Sequence, residues 1–551
     1  MTPSMILTNA KILTMDPAAP TAAAVALAGD RIAALGSRAE IEALAGPTTE
    51  IFDCKGATLL PGFVESHLHL VLGGMELAHL QLTGEAGADA LARAFHDFAD
   101  RHPDRPLLMA QGGGYAMLDH PMTRHDLDAI IADRPIAITA ADHHTVWANT
   151  AALTAAGILH GAKTPAGHEV VMGPDGLATG ELREFEAFSA VVALGGEARL
   201  NLGIATGGEP SPWPTEAEQA IDRDKTAAGL AHCARHGITS MVNMDGNRYT
   251  LELLDGLRRE GRLTARVKVP FHFKPHMDLA ELDRADEMTR DFNDEWLSSG
   301  FVKMFMDGVI DSQTAFMLND YPGQPGHRSE PLFPGPRFNE IATEIDRRGL
   351  QIAVHAIGDG AVRTTIDGYE AAAKANGPRD SRHRIEHIEL IDRADIPRLG
   401  ALGITASVQP SHAPGAMDFP VDPTLTRNVP KARWADAYLC RSLQAKGAPV
   451  AFASDWPVTD VSVLRSIQAA LTRKPYEGAA DERLTLMEVL HAYTAGGARA
   501  AHWEGLTGTL RPGMAADIVV LSDDIEAVAP DKIDGMHIAL TVAGGKVTWR
   551  G

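Results

Sequence analysis

Short apolar segments alternate with helix-like segments through the middle of the chain. The helix-like stretches at 220–237 and 340–349 carry apolar residues at helical spacing, whereas the apolar segments are short and end in Gly, Asp or Pro. Strand and helix in alternation predict a parallel sheet. Eight such units predict an α/β fold, a (β/α)8 TIM barrel, with strands at 58–70, 237–245, 266–273, 301–308, 350–359, 383–390, 404–412 and 449–458.

Both ends of the chain show a different pattern. Residues 1–58 and 506–551 contain short apolar or alternating runs separated by Gly-rich turns, which favours strands. Neither end is long enough to form a good sheet domain alone. We therefore predict a small composite β-sandwich built from both termini, with the barrel spanning 59–505.

One stretch contains strand-like runs beyond the eight strand–helix units. Between about 75 and 225 the chain holds two additional strand-like runs, at 106–115 and 134–149, and the Pro-rich segment GGEPSPWPTE. This pattern predicts an insertion after the first barrel strand, and we expect it to lie over the barrel mouth and shape a pocket.

Composition and charge narrow the class of protein. The 551 residues are 45% hydrophobic and 22% charged, which is typical of a soluble globular protein. No apolar run approaches the roughly 18 residues of a membrane span, and the first residues lack the pattern of a secretory signal. Three widely spaced cysteines suit a reducing compartment, and we expect a cytoplasmic protein without a membrane partner. A net charge of −22 argues against nucleic acid.

Candidate chemistry lies where the predicted strands end. His67 and His69 in PGFVESHLHL are one residue apart, so on a strand they share a face. A lone strand-end histidine is more often structural, but the ends of other predicted strands carry further ligand-type residues: Lys303, His355, His387 and Asp455. Barrel enzymes place their chemistry at this end, and imidazole with carboxylate suits zinc and similar divalent ions. The pattern predicts a metal site.

These motifs resemble the amidohydrolase superfamily. PGFVESHLH is similar to the family's first-strand motif, with Glu65 in place of the usual Asp, and GTLRPGMAADIVVL resembles its closing sandwich motif. Within the superfamily the likeness is to the YtcJ-like branch, which includes N-substituted formamide deformylase. The segments that carry this likeness are ADHHTVWANTAAL, TGELRE, VKMFMDG, VHAIGDGA, RIEHIEL, SVQPSH and ASDWPV.

The resemblance implies roles for individual residues. His67 and His69 would hold the more buried ion, and His355 and His387 the second. Lys303 matches a lysine that is often carboxylated to bridge two ions. Asp455 matches the carboxylate that contacts metal and takes a proton from the attacking water. Two zinc ions are the expected cofactor, with manganese, iron or cobalt as alternatives.

Other candidates carry less specific signals. His144 is a candidate catalytic residue that hydrogen-bonds the developing oxyanion or the substrate, with a structural role as the alternative. Tyr115, Asp307, Gln409 and His412 are candidate substrate-binding residues, although Asp307 equally suits a turn cap and Tyr115 ordinary packing. Arg183 and Glu184 are predicted to pair. No chemistry is assigned to the remaining helix and loop histidines, which include His120, His232 and His236.

The sequence and the resemblance together predict a metal-dependent hydrolase that cleaves a non-peptide C–N bond, in an amide or N-formyl group, through a metal-bound hydroxide. The substrate would be a small-molecule amide. Two alternatives stay open: a deaminase of a ring amidine, and an inactive scaffold that retained the barrel. The substrate, the number of ions and the oligomeric state, for which a homodimer is open, are not determined by the sequence.

Overall fold

The computed structural model describes residues 2–82, 87–141, 143–165, 167–416, 423–474, 476 and 478–551. Eight parallel strands form the centre of this described part. Counted from first to eighth along the chain, they are Phe63–Leu68, Ile238–Asn243, Arg266–Lys268, Phe301–Phe305, Gln351–Ala356, Arg384–His387, Thr405–Val408 and Val450–Phe452.

Each of these strands pairs in parallel with the next one along the chain. The third and fourth pair through short extensions, Phe271–His272 and Leu297–Ser298. No ladder joins the first strand to the eighth within the described residues, but the Asp455 amide donates to the His67 carbonyl at 2.9 Å. The expected TIM-barrel-like α/β fold is confirmed at this level.

Helices separate the strands and cover them. Every residue of the first strand is buried, because one face meets the interior and the other meets helices. The helices that follow or precede these strands are Leu70–Glu76, Glu216–Arg235, Arg248–Arg259, Leu282–Asp291, Gly335–Arg347, Asp359–Asn376, Ile396–Leu402, Pro423–Asn428, Cys440–Ala445, Val463–Thr472, Leu486–His491 and Gly497–Ala500. No helix among the described residues is long and apolar enough to cross a membrane.

Strands from the two ends of the chain meet in one sheet. Its order along the sheet is Lys546–Arg550, Ile538–Ala543, Ile518–Leu521, Thr58–Pro61, Lys11–Leu13 and Thr21–Ala22. A second sheet contains only N-terminal strands: Arg31–Gly36, Ala24–Ala28, Met5–Thr8 and Glu50–Asp53, with the short helix Arg38–Glu42 nearby. A separate apolar core that includes Leu7, Leu59 and Ile518 lies within this terminal region. The exact domain limits stay a prediction.

The segment between the first and second parallel strands forms a mixed sheet of its own. Its order is Glu169–Met172, Ala178–Arg183, Thr145–Ala148, Ile136–Ala140, Leu108–Gly113 and Leu80–Gln81. The helices of this segment are Ala88–Arg101, Arg124–Ile130, Thr150–Ala155, Phe185–Ala193 and Leu202–Thr206. Both additional strand-like runs of the sequence therefore lie in one sheet. Asp142 of the histidine-rich motif lies outside the described residues.

Candidate metal centre

The two first-strand histidines and one eighth-strand carboxylate meet at the carboxyl ends of the strands. The Nε2 atoms of His67 and His69 lie 3.1 and 3.2 Å from the same oxygen, Oδ1 of Asp455. All three residues are at least 90% buried. Each offers an atom within 4.8 Å of the others, a spacing that a metal ion can span. The H-x-H spacing and the end of a distant strand thus converge on one point.

A carboxylate orients each of these histidines from its other ring nitrogen. His67 Nδ1 lies 2.8 Å from Oε2 of Glu386, and His69 Nδ1 lies 2.7 Å from Oδ1 of Asp245. A proton held on Nδ1 by a carboxylate is the usual support for a metal-binding imidazole, whose Nε2 then faces the ion. Burial opposes protonation of His69, but Asp245 and Asp455 raise its pKa to about 9, so a bound ion would displace the Nε2 proton of that ring. Both histidines therefore face Asp455 with Nε2, the nitrogen that would bind an ion.

Three further ligand-type side chains lie close by. The His67 and His387 ring centres are 5.0 Å apart, and those of His387 and His355 are 4.5 Å apart. Lys303 is fully buried, and its Nζ makes no hydrogen bond to any described residue. A buried amine without a hydrogen-bond partner is costly, even though Nζ lies 4.8 Å from the Phe305 ring centre, so this position favours the neutral amine or a ligand.

The charge states suit a cation site. Burial, and next the Lys303 amine, lower the pKa of His355 well below its usual value, and burial with the His355 imidazole does the same for His387. Both rings are therefore neutral at pH 7. Burial opposes ionisation of Asp455, but His67 more than offsets this and lowers the pKa of that carboxyl well below its usual range. Burial lowers the pKa of Lys303 to about 8, which brings the neutral amine within reach near neutral pH.

Such a donor set fits a divalent ion. His67, His69 and Asp455 supply two oriented imidazoles and an ionised carboxylate, which are standard zinc ligands. A second group that shares Asp455 contains His387 and His412. The metal roles assigned from the sequence stay predictions, but the residues that carry them lie together.

His144 belongs to the insertion and reaches the same region. Its ring centre lies 6.0 Å from that of His355, and its Nδ1 is 2.8 Å from Oε2 of Glu184. Glu184 also accepts a hydrogen bond from Thr314, in the loop after the fourth strand, at 2.9 Å. The insertion and the parallel strands are thus joined through one carboxylate that orients His144.

The four candidate substrate-binding residues differ in position. Gln409 contacts His387 Nδ1 through Oε1 at 3.0 Å, and His412 Nε2 lies 3.9 Å from Asp455, so both border the metal ligands. Asp307 accepts hydrogen bonds from the backbone amides of 316, 357 and 358, which makes it a loop cap, and its Oδ1 also lies 3.8 Å from His355 Nε2. Tyr115 is 45% exposed and donates to Thr145.

The expected pairing of Arg183 with Glu184 is wrong. Arg183 binds Glu181 and Glu169, while Glu184 turns to His144. Arg183 is the last residue of its strand, whereas Glu184 follows with a φ of 63° and precedes helix Phe185–Ala193, so the chain turns between the two charges.

Three supporting residues escaped the sequence analysis: Asp245, Glu386 and Arg384. Asp245 lies two residues beyond the end of the second strand, at the same end as the other polar residues, and this position was a usable signal. Arg384 and Glu386 share one face of the sixth strand and pair at 2.8 Å while fully buried. Two opposite charges at alternate positions of a buried strand indicate such a pair.

Several known proteins are similar to this chain along most of its length. The family model described as "Amidohydrolase family" matches residues 50–549. The putative amidohydrolase YtcJ of Bacillus subtilis is 27% identical over 92% of this chain and 92% of its own length. N-substituted formamide deformylase of Arthrobacter pascens is 25% identical over 98% of this chain and 97% of its own. A crystal structure of an uncharacterized metal-dependent hydrolase from Pyrococcus horikoshii aligns with a TM-score of 0.73 and 23% identity, covering 96% of this chain and 99% of that one. The resemblance to the YtcJ-like branch is confirmed.

Proposed function

Because this chain belongs to the amidohydrolase family, we propose that it is a metal-dependent hydrolase of a non-peptide C–N bond, in an amide or N-formyl group. One observation carries the proposal: two histidine Nε2 atoms approach the same Asp455 oxygen while carboxylates hold both Nδ1 atoms. A purely structural cluster does not require this orientation, since a histidine that only fills space needs no carboxylate behind it.

His67, His69 and Asp455 would hold one ion, and His355 and His387 the other, with carboxylated Lys303 as a ligand that both ions share. A bound divalent ion supplies a Lewis acid that polarises the substrate carbonyl and makes water a better nucleophile at neutral pH. Zinc is the metal we favour for these ligands. The buried Lys303 amine, whose burial favours the neutral form, would add carbon dioxide through a new N–C bond and release one proton to solvent, which leaves a carbamate at this position.

Asp455 would move the proton. It is ionised and buried beside two imidazoles, so one carboxylate oxygen can accept the proton of the attacking water. It then returns that proton to the leaving nitrogen, which departs poorly as an anion. This role needs a carboxylate that faces the reacting atoms, as Asp455 does.

His144 would stabilise the developing oxyanion. Glu184 holds the ring from Nδ1, and in its protonated form His144 can donate from Nε2. His144 lies in the insertion, so the donor to the oxyanion would come from the same segment that we expect to shape the pocket.

The compartment, partners and full barrel closure belong to the same proposal. We infer a cytoplasmic enzyme that acts on small amides, with no nucleic-acid partner. The first and eighth strands would complete a closed barrel, in support of which the Ser454 amide donates to Glu65 at 2.9 Å.

The substrate class can be tested with a panel of N-formyl amines, N-acetyl amines, larger amides and matched esters, assayed with zinc-loaded and manganese-loaded protein. We expect hydrolysis of amides with release of the amine, and the same panel with His144→Ala should turn over more slowly at unchanged metal content. Release of ammonia from ring amidines without any amide hydrolysis would contradict the proposal.

A further inference from the structure

A second cluster of histidine and carboxylate lies away from the candidate metal centre. His232 belongs to the last turn of helix Glu216–Arg235, and His236 follows the end of that helix. Residues four apart lie on the same side of a helix. Their ring centres are 5.0 Å apart, and Asp460, from the loop after the eighth strand, completes the group.

We propose that His232, His236 and Asp460 bind a further divalent ion of the zinc class. Each residue offers one ligand atom, and these atoms lie within 4.8 Å of one another. Two imidazoles and a carboxylate make up a three-ligand zinc set, with the fourth position left for water. Metal–ligand bonds are about 2.0–2.2 Å, so small rotations of the three side chains close the site.

The ligand atoms are available. Neither imidazole makes a hydrogen bond or an ion pair with another described residue, and both rings are partly exposed. Asp460 is exposed and uses Oδ1 to accept the Ser462 amide at 2.9 Å, which leaves Oδ2 for a ligand. Burial lowers the pKa of His232 to about 4 and lowers that of His236, so protons do not compete at neutral pH.

The surroundings favour a cation. The cluster lies at the carboxyl end of a 20-residue helix, where the helix dipole is negative. The charge of Arg235 reaches both imidazoles and opposes a cation, but its guanidinium packs over Trp549, 5.2 Å from the ring centre, and neither imidazole binds it.

The site adjoins the segment that carries Asp455. The His232 ring packs against Trp456, with ring centres 5.2 Å apart and planes tilted by 32°. Trp456 follows Asp455 directly, and its carbonyl accepts the His69 amide at 2.7 Å. An ion bound there would link helix Glu216–Arg235 to the loop after the eighth strand, which carries Asp455. The ion itself would not contact the substrate.

Zinc binding to the metal-loaded protein tests this site. The wild type, His236→Gln and Asp460→Asn would be equilibrated against radioactive zinc, and zinc bound per chain would be counted. His120→Gln is the matched control, because His120 is an exposed histidine beside Asp119 and Asp126 that forms no such cluster.

We expect His236→Gln to saturate at about one zinc per chain fewer than the wild type, and His120→Gln to bind as the wild type does. Asp460→Asn keeps an oxygen for the Ser462 amide. This variant should reach the wild-type plateau, but with an affinity for zinc that is weaker by about tenfold or more. Equal zinc isotherms for the wild type and both site variants would overturn the proposal, whatever the hydrolytic activity proves to be.

Discussion

Asp245 and Glu386 support the first-strand histidines from behind, and their contribution can be measured apart from the ligands. Asp245 accepts the amides of Val71 and Leu72 through Oδ2 and contacts His69 through Oδ1. In Asp245→Asn, the remaining oxygen can keep the backbone contacts, but the amide group cannot accept the Nδ1 proton of His69.

We therefore expect Asp245→Asn to lower metal affinity by about 10- to 100-fold with little change in fold. Competition with a chelator of known affinity measures this change. Asp346→Asn is the control, because Asp346 is a buried carboxylate that binds Arg379 and Ser381 away from the centre. Equal affinities for the wild type and Asp245→Asn would mean that this carboxylate does not orient a ligand.

Asp455 is expected to combine metal contact with proton transfer. Asp455→Asn retains an oxygen for the metal but has no carboxylate to accept a proton. Turnover should fall by at least about 100-fold, the lower range for general acid–base catalysis. The readout is kcat with metal content measured on the same sample. Near-normal kcat at full metal occupancy would remove Asp455 from proton transfer.

At the scale of elements, the helix after the first strand packs unusually closely on the eighth-strand loop. A Cβ placed on Gly73, in helix Leu70–Glu76, would lie 2.5 Å from the Trp456 ring. Trp456 is itself buried, so the ring has little room to withdraw. The glycine is required by this close approach rather than by its backbone angles.

Gly73→Ala should therefore destabilise the protein. Overpacking costs about 1–3 kcal/mol, against the roughly 1 kcal/mol that alanine gains over glycine within a helix, so we expect a net loss of about 1 kcal/mol. Thermal unfolding reports the change. Gly335→Ala is the control, since nothing lies within 4 Å of its added Cβ. A midpoint for Gly73→Ala at or above that of the wild type would refute the packing argument.

The alternation of apolar segments was sufficient to predict the parallel strands, because that pattern is local. The meeting of both termini was inferred separately, since neither end is long enough to form a sheet domain alone. The histidines and Asp455 could be named because each ends an apolar run. Their carboxylate partners could not be paired, since His67 and Glu386 are 319 residues apart and only the fold joins them. The mixed sheet of the insertion was also beyond reach, because strand order depends on pairings that periodicity does not encode.

At the scale of the whole molecule, a buried ion pair joins the parallel strands to the terminal sheet. Arg266 of the third strand donates to Asp517, just before Ile518–Leu521, at 2.8 Å, and both side chains are 0% exposed. Asp517 also accepts the Gly544 amide at 2.7 Å. Removal of one partner leaves an uncompensated charge in the interior.

Asp517→Ala should lower the free energy of unfolding by about 3–5 kcal/mol while the folded protein keeps its metal affinity. Glu50→Gln is the control. The Arg550–Glu50 pair also links distant parts of the chain, but both side chains are about half exposed, so this pair should contribute only about 0–1 kcal/mol. Thermal or urea unfolding compares the two. Equal losses in the free energy of unfolding for both variants would show that burial does not make the Arg266–Asp517 pair more important for stability.

The central claim is that His67, His69 and Asp455 hold a divalent ion. Its most direct test is elemental analysis of metal bound per chain, in the wild type and in His69→Ala, after both are purified with added zinc and desalted. We expect about one to two ions in the wild type and the loss of at least about one in the variant, together with loss of hydrolysis. Wild-type metal content in His69→Ala, or less than about 0.2 ions per chain in the wild type, would contradict the account.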